Sequence, residues 1–271
     1  MDSGSRTEFR LRRDICAAGR ALRELGFIPA AAGNLSVRLD DGRILATPSG
    51  VPKGGMQPAD LVLLREDGRP AGGADLNGRS NNEARTASSE MLMHLRIYAL
   101  RPDVRAVCHA HPPTATGFAT AGRALDSAAL CETALLLGAI PLTPYAAPGT
   151  EELPDSITPF VRRANALLLA NHGVVTYGDD LRAAMHGMEI VEHCAKVTLI
   201  AELAGGARLL TRAQVQGLVA SRNRKRGGGG IIARARCGEN IDVILVPCTT
   251  SATPWRAPTE LGAGGERCNQ D

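Results

Sequence analysis

Aromatic residues are scarce in this chain: Phe, Tyr and Trp make up 3% of its 271 residues, with a single Trp. The core must therefore be built mainly from Ala, Leu, Val and Ile. An excess of charge is also lacking. The net charge of +3 is too small to argue for nucleic acid as a partner. The seven cysteines are scattered, odd in number and never spaced Cys-x-x-Cys. That pattern fits a reducing compartment better than a disulfide framework. No apolar run approaches the roughly 18–20 residues that span a bilayer, and the N-terminus is polar and charged through Arg13, unlike a secretory signal. The expectation is a soluble cytoplasmic protein that binds neither membrane nor nucleic acid. Apolar and charged fractions of 44% and 22% are ordinary for a globular domain, and the length suffices for a sizeable core.

The elements that are present alternate. Residues 7–26 read as an amphipathic helix, with Ile15, Ala18, Leu22 and Leu25 at helical spacing and Gly26 as its stop. Two short strands flank Asp40-Asp41-Gly42, a hairpin signal. Leu61–Leu64 reads as a strand, and residues 71–87 as a Gly/Asn/Ser-rich loop. Ser88 stands as a cap for a helix over Glu90–Leu100. Small-residue helices are expected over 112–121 and 155–164. Asp179 or Asp180 caps a long helix over Leu181–Leu203. Strands interleaved with helices predict an α/β class with helices on both faces of the sheet. Residues 1–221 form the expected domain. Residues 222–271 begin with Arg-Asn-Arg-Lys-Arg and four glycines, which read as a basic, flexible, solvated tail.

Three histidines stand out. The segment Val104-Arg-Ala-Val-Cys-His-Ala-His reads as a buried strand. Residues i and i+2 of a strand share a face, so His109 and His111 point the same way. His172 follows a second apolar run, Ala166-Leu-Leu-Leu-Ala-Asn. Three neutral imidazoles with an open fourth position describe a catalytic zinc site better than a structural one. Manganese or another divalent ion is also compatible with imidazole ligands. Nearby in sequence, Ser88-Ser89-Glu90 sets a carboxylate beside two hydroxyls. Metal, carboxylate and small polar loops together point to chemistry on a phosphorylated, oxygen-rich substrate. His186, Glu189, Glu192 and His193 read as the exposed, charge-patterned face of the long helix. Cys108 reads as core. Lys53 reads equally as a contact to substrate phosphate or as a solvated lysine.

The stretches Ala32-Gly-Asn-Leu-Ser-Val-Arg, Thr47-Pro-Ser-Gly, Ser88-Ser-Glu, His109-Ala-His, Tyr145-Ala-Ala-Pro-Gly-Thr and Asn171-His-Gly occur in order over residues 8–210. In this the chain resembles the class II aldolase/adducin-head family, typified by the fuculose-phosphate aldolases. The resemblance implies a three-layer α/β/α fold around a mixed sheet, and a homotetramer with active sites between subunits. It implies zinc on His109, His111 and His172, joined by Glu90 when substrate is absent. With substrate, Glu90 shuttles a proton at the carbon that loses its carbon–carbon bond. It further implies phosphate binding by Asn34, Ser49, Gly50, Ser88 and Ser89.

Two departures qualify the resemblance. A family threonine of the phosphate site is Ala31 here. The position of an active-site tyrosine is Leu130, with Glu132 two residues on. Glu132 reads either as a replacement acid/base, given to its own or a neighbouring site, or as a surface carboxylate. The expected activity is metal-dependent cleavage of a ketose 1-phosphate, of the fuculose or 5-deoxy/5-methylthio-ribulose type, to dihydroxyacetone phosphate and an aldehyde. Methylthioribulose-phosphate dehydration, pentulose-phosphate 4-epimerisation and decarboxylation of a 3-oxo-acid phosphate remain open as alternatives. So does an adducin-like interaction module without catalysis.

Overall fold

One seven-stranded sheet organises the chain. The computed structural model of the protein describes residues 3–71 and 86–226. In chain order the elements are α1 (Ser3–Glu24), β1 (Asn34–Arg38), β2 (Ile44–Ala46), β3 (Val62–Leu64), α2 (Met91–Leu100), β4 (Ala106–Ala110), α3 (Pro113–Thr120), α4 (Cys131–Leu136), β5 (Leu142–Thr143), α5 (Glu152–Val161), β6 (Ala166–Leu169), β7 (Gly173–Gly178), α6 (Leu181–Leu203) and α7 (Arg212–Arg226). The strands lie in the order β3-β2-β1-β4-β7-β6-β5. Among the described residues only β5 and β6 pair in parallel, so the sheet is mixed, as expected.

Alternation sorts each strand onto two faces. Ala106, Cys108 and Ala110 of β4 join Leu35, Val37, Ala166, Leu168 and Val174 in a core shared with residues of α1, α3 and α6. Val107 of β4 joins Leu167, Leu169, Val175 and Tyr177 in a second core shared with α2 and α5. Two helical layers thus enclose the sheet, giving the three-layer α/β/α arrangement. Burial of each Leu, Ile or Val contributes roughly 1.5–3 kcal/mol, and these residues, with Ala and Met, dominate both cores as the shortage of aromatics requires.

Local signals explain the element ends. Gly26, at φ +74°, stops α1: Phe27 N–H donates to Leu22 O and Gly26 N–H to Arg23 O, the paired bonds of a Schellman end. Asp180 Oδ1 accepts from Ala183 N at 2.6 Å and caps α6. The loop expected over 71–87 falls largely outside the described residues. The boundary expected after residue 221 falls inside α7, which runs on to Arg226; the rest of the tail lies outside the described residues. Among the described residues, no helix is long and apolar enough to cross a membrane.

Candidate active site

Strand register, not sequence distance, brings the three histidines together. In the antiparallel β4–β7 pair, His109 stands opposite Val175 and Ala110 opposite Val174. The β6–β7 connection is a tight turn in which His172 N–H donates to Leu169 O at 3.0 Å. Asn171 adopts φ +55° there, a left-handed conformation that Asn tolerates better than most residues. The turn leaves His172 at the same end of the sheet as His109 and His111. Candidate donor atoms of the three imidazoles lie within 4.8 Å of one another.

The arrangement suits a divalent cation. His109 is fully buried, and its Nδ1–H donates to Val174 O at 2.9 Å. That bond fixes the tautomer and leaves the Nε2 lone pair available to a ligand. His109 Nε2 lies 3.1 Å from His111 Nε2, close to the ~3.3 Å expected of two nitrogens on one tetrahedral zinc. Burial pushes the His109 imidazolium down to about 3 and lowers the pKa of His111, so both rings favour the neutral, ligating form. Gly173 makes the cradle possible. A Cβ on it would lie 2.4 Å from His111 Cδ2 and 2.7 Å from Ala110 O.

Glu90 enters from the opposite wall. It occupies the N-cap position of α2, but its side chain makes no capping bond. The carboxylate instead reaches the imidazoles, with Oε1 2.9 Å from His172 Nε2 and Oε2 3.3 Å from His109 Nε2. Asn34 Nδ2 donates to Oε2 at 2.7 Å. Burial opposes ionisation, but His109, His172 and Asn34 outweigh it and hold the carboxyl well below the usual range. Glu90 is thus an anion at neutral pH, next to the candidate metal ligands.

The loops named for phosphate meet at the same end. Ser49 N–H donates to Thr86 O at 2.8 Å, and Pro48 bridges Ala87. The exposed Ser49-Gly50 turn therefore runs alongside Ser88-Ser89. Asn34 Nδ2 also lies 3.2 Å from Ser88 Oγ. Gly149, of the Tyr145–Thr150 motif, packs on Ser89 so closely that a Cβ would stand 3.2 Å from Ser89 Cβ.

Lys53 belongs to neither of its sequence readings. It is 2% exposed, and its Nζ donates to Ala31 O (3.0 Å), Pro48 O (3.3 Å) and Val51 O (2.8 Å). It ties the loop before β1 to the Ser49-Gly50 turn. Glu192 also departs from the expected exposed face. It is 1% exposed and accepts from Thr114 N (3.2 Å) and Ala115 N (2.9 Å) at the start of α3. His186, Glu189 and His193 are exposed, as expected. Cys108 is core. Leu130 is half-buried and Glu132 is exposed on the first turn of α4. Among the described residues, no hydrogen bond or ion pair within the chain joins Glu132 to the histidine cluster.

The reading of the sequence missed His94. It is fully buried, and its Nε2 lies 2.6 Å from Asn34 Oδ1. Its signal was its spacing, four residues after Glu90 on the same helix stripe.

Residues 13–199 match the family described as the class II aldolase and adducin N-terminal domain. Over 205 residues the chain is 31% identical to the 3-oxo-tetronate 4-phosphate decarboxylase of Escherichia coli (strain K12), covering 74% of this chain and 91% of that one. It is 35% identical over 186 residues to the 5-methylthioribulose-1-phosphate/5-deoxyribulose-1-phosphate aldolase of Rhodospirillum rubrum, covering 69% and 79% of the two chains. A solved L-fuculose 1-phosphate aldolase superposes with a TM-score of 0.69 at 28% identity, over 78% of this chain and 95% of that chain. Match and architecture agree, and the chain belongs to the class II aldolase superfamily as one of its enzymes.

Proposed function

We propose that this enzyme is a zinc-dependent carbon–carbon lyase. It cleaves a ketose 1-phosphate, of the fuculose or 5-deoxy/5-methylthio-ribulose type, to dihydroxyacetone phosphate and an aldehyde. One observation carries the reading: an ionised carboxylate, Glu90, stands within 2.9–3.3 Å of two of three convergent imidazoles. His109, His111 and His172 would hold the metal, which supplies Lewis acidity at the substrate carbonyl. Ser49, Gly50, Ser88 and Ser89 offer amides and hydroxyls to the phosphate. As the bond beyond the carbonyl's neighbouring carbon breaks, the departing alcohol gives up its proton and becomes the aldehyde. The electron pair stays on the carbon next to the carbonyl, and that carbon takes up a proton by way of Glu90, which, ionised at rest, first accepts it from solvent. Glu132 is our candidate acceptor for the alcohol proton, given to a neighbouring subunit's site in a homotetramer.

The test is release of dihydroxyacetone phosphate from 5-deoxyribulose, 5-methylthioribulose and fuculose 1-phosphates by zinc-loaded protein, with Glu90→Gln as control. Release that disappears in the variant is the expected result. No release from any of the three overturns the aldol reading.

A second reading has its own support. Decarboxylation of a 3-oxo-acid phosphate also leaves an electron pair beside a carbonyl, but needs no acceptor for an alcohol proton. Leu130 offers no such acceptor, and among the described residues no hydrogen bond or ion pair joins Glu132 to the histidine cluster of its own chain. Carbon dioxide release from a 3-oxo-tetronate 4-phosphate, without aldolase activity, would select this reading.

A further inference from the structure

Behind Glu90 stands a buried file of polar side chains that the proposed reaction leaves unused. Glu90, His94 and Tyr98 recur every four residues, a step of about 6 Å along a helix. Asn34 and Ser36 lie two apart on β1, a step of about 6.6 Å along a strand. The near-equal steps let helix stripe and strand face interlock. Asn34 Nδ2 meets Glu90 Oε2 at 2.7 Å and Asn34 Oδ1 meets His94 Nε2 at 2.6 Å. Ser36 Oγ meets His94 Nδ1 at 2.7 Å and Tyr98 OH at 2.8 Å. Asn34, Ser36, His94 and Tyr98 are at most 4% exposed. Polar groups at that depth are tolerated only when fully bonded.

The amide of Asn34 sets the direction of every bond: its Nδ2 donates to Glu90 Oε2 and faces Ser88 Oγ, so its oxygen is left to accept from His94. His94 must then carry its hydrogen on Nε2 and leave Nδ1 bare. Ser36 must donate to Nδ1, and Tyr98 must donate to Ser36. A single orientation satisfies all four bonds. The other amide hydrogen of Asn34 falls to Ser88 Oγ, at 3.2 Å.

We infer that Asn34 and His94 are positioning residues for the Glu90 carboxylate: the file anchors Oε2 and aims Oε1 at the histidine cluster as the working oxygen. This rests on the proposed role of Glu90. It gives Asn34, whose amide hydrogens are taken by Glu90 and Ser88, a task at the carboxylate in place of the phosphate contact its motif implies.

Two measurements decide it. The first needs no substrate. A long-range proton–nitrogen spectrum of histidine-labelled, metal-free protein at pH 7 is expected to show His94 with its hydrogen on Nε2. A hydrogen on Nδ1 overturns the inference. The second compares two variants. His94→Gln keeps an N–H aimed at Asn34, whereas His94→Leu does not. His94→Leu is expected to lose about 10- to 100-fold in kcat, as removal of a ligand-orienting partner does, while metal content holds. The KM is expected to stay within about threefold and His94→Gln to recover kcat to within about fivefold of wild type. Equal kcat in folded Leu and Gln variants overturns the inference. If the Leu variant fails to fold, Tyr98→Phe replaces it. The Nε2–H tautomer at His94 is then expected to stay, because Asn34 and not Tyr98 fixes it, and a shift of the hydrogen to Nδ1 overturns the fixed direction. A wild-type protein inactive on every substrate would defeat the lyase reading alone, because the tautomer is read without turnover.

Discussion

Gly173 and His111 are in contact so close that no side chain fits between them. A Cβ at position 173 would stand 2.4 Å from His111 Cδ2, well inside van der Waals contact. Gly173→Ala must therefore push His111 out of the cluster or shift the start of β7. We expect at least a tenfold loss of metal affinity, the scale of a disturbed ligand orientation, with the helical circular dichroism preserved. Metal content after dialysis against limiting zinc checks this; a full equivalent retained would refute it.

Lys53 holds two loops by three carbonyls while almost wholly buried. Lys53→Met keeps the aliphatic stem and removes the ammonium, leaving those carbonyls without their donor. Loss of bonds to a charged group predicts a destabilisation of about 2–4 kcal/mol. Urea unfolding of the metal-free protein reads it, and an unchanged midpoint would show that the loops hold without the tie.

Acid should destabilise the metal-free protein through its buried neutral histidines. Burial pushes His94 down to about 3, whereas an unfolded histidine protonates near pH ~6.5. Between those values the unfolded chain binds more protons, so acid favours it. Stability from the neutral His94 is complete above pH ~6.5 and is lost as pH falls toward 3, by up to ~1.4 kcal/mol per unit. Buried His109 adds a contribution of the same sign. Urea midpoints at pH 7 and pH 5 should differ less in His94→Gln than in wild type. Equal differences would mean that His94 does not stay neutral in the fold.

Features that depend on neighbours in sequence were legible before the structure. Gly26 as a stop, the cap at Asp180, the turn at Gly42 and the His-x-His pair are of this kind, because period and capping chemistry act within one turn or strand. Burial of charge was not legible. Glu192 looks like one more exposed carboxylate on a helix, until α3 brings the amides of Thr114 and Ala115 to it from 78 and 77 positions away. Lys53 is similar, since carbonyls leave no mark in a sequence. His94 sits in Met-Leu-Met-His-Leu, which reads as an apolar helix. Its purpose emerges only once β1 is known to pack against α2. Glu132 shows the reverse case: the sequence singled it out, and it stands exposed on the first turn of α4.

The central claim is that the three histidines hold one metal with which Glu90 works. Titrating metal-free protein with zinc while following dihydroxyacetone phosphate release tests it most directly. The account predicts a rate that rises to a plateau at one zinc per chain. It also predicts a Glu90→Gln variant that binds the same equivalent yet loses about 100-fold or more in rate, within the usual range for a lost acid/base group. Full release without zinc, or a Glu90→Gln variant as fast as wild type, would contradict it.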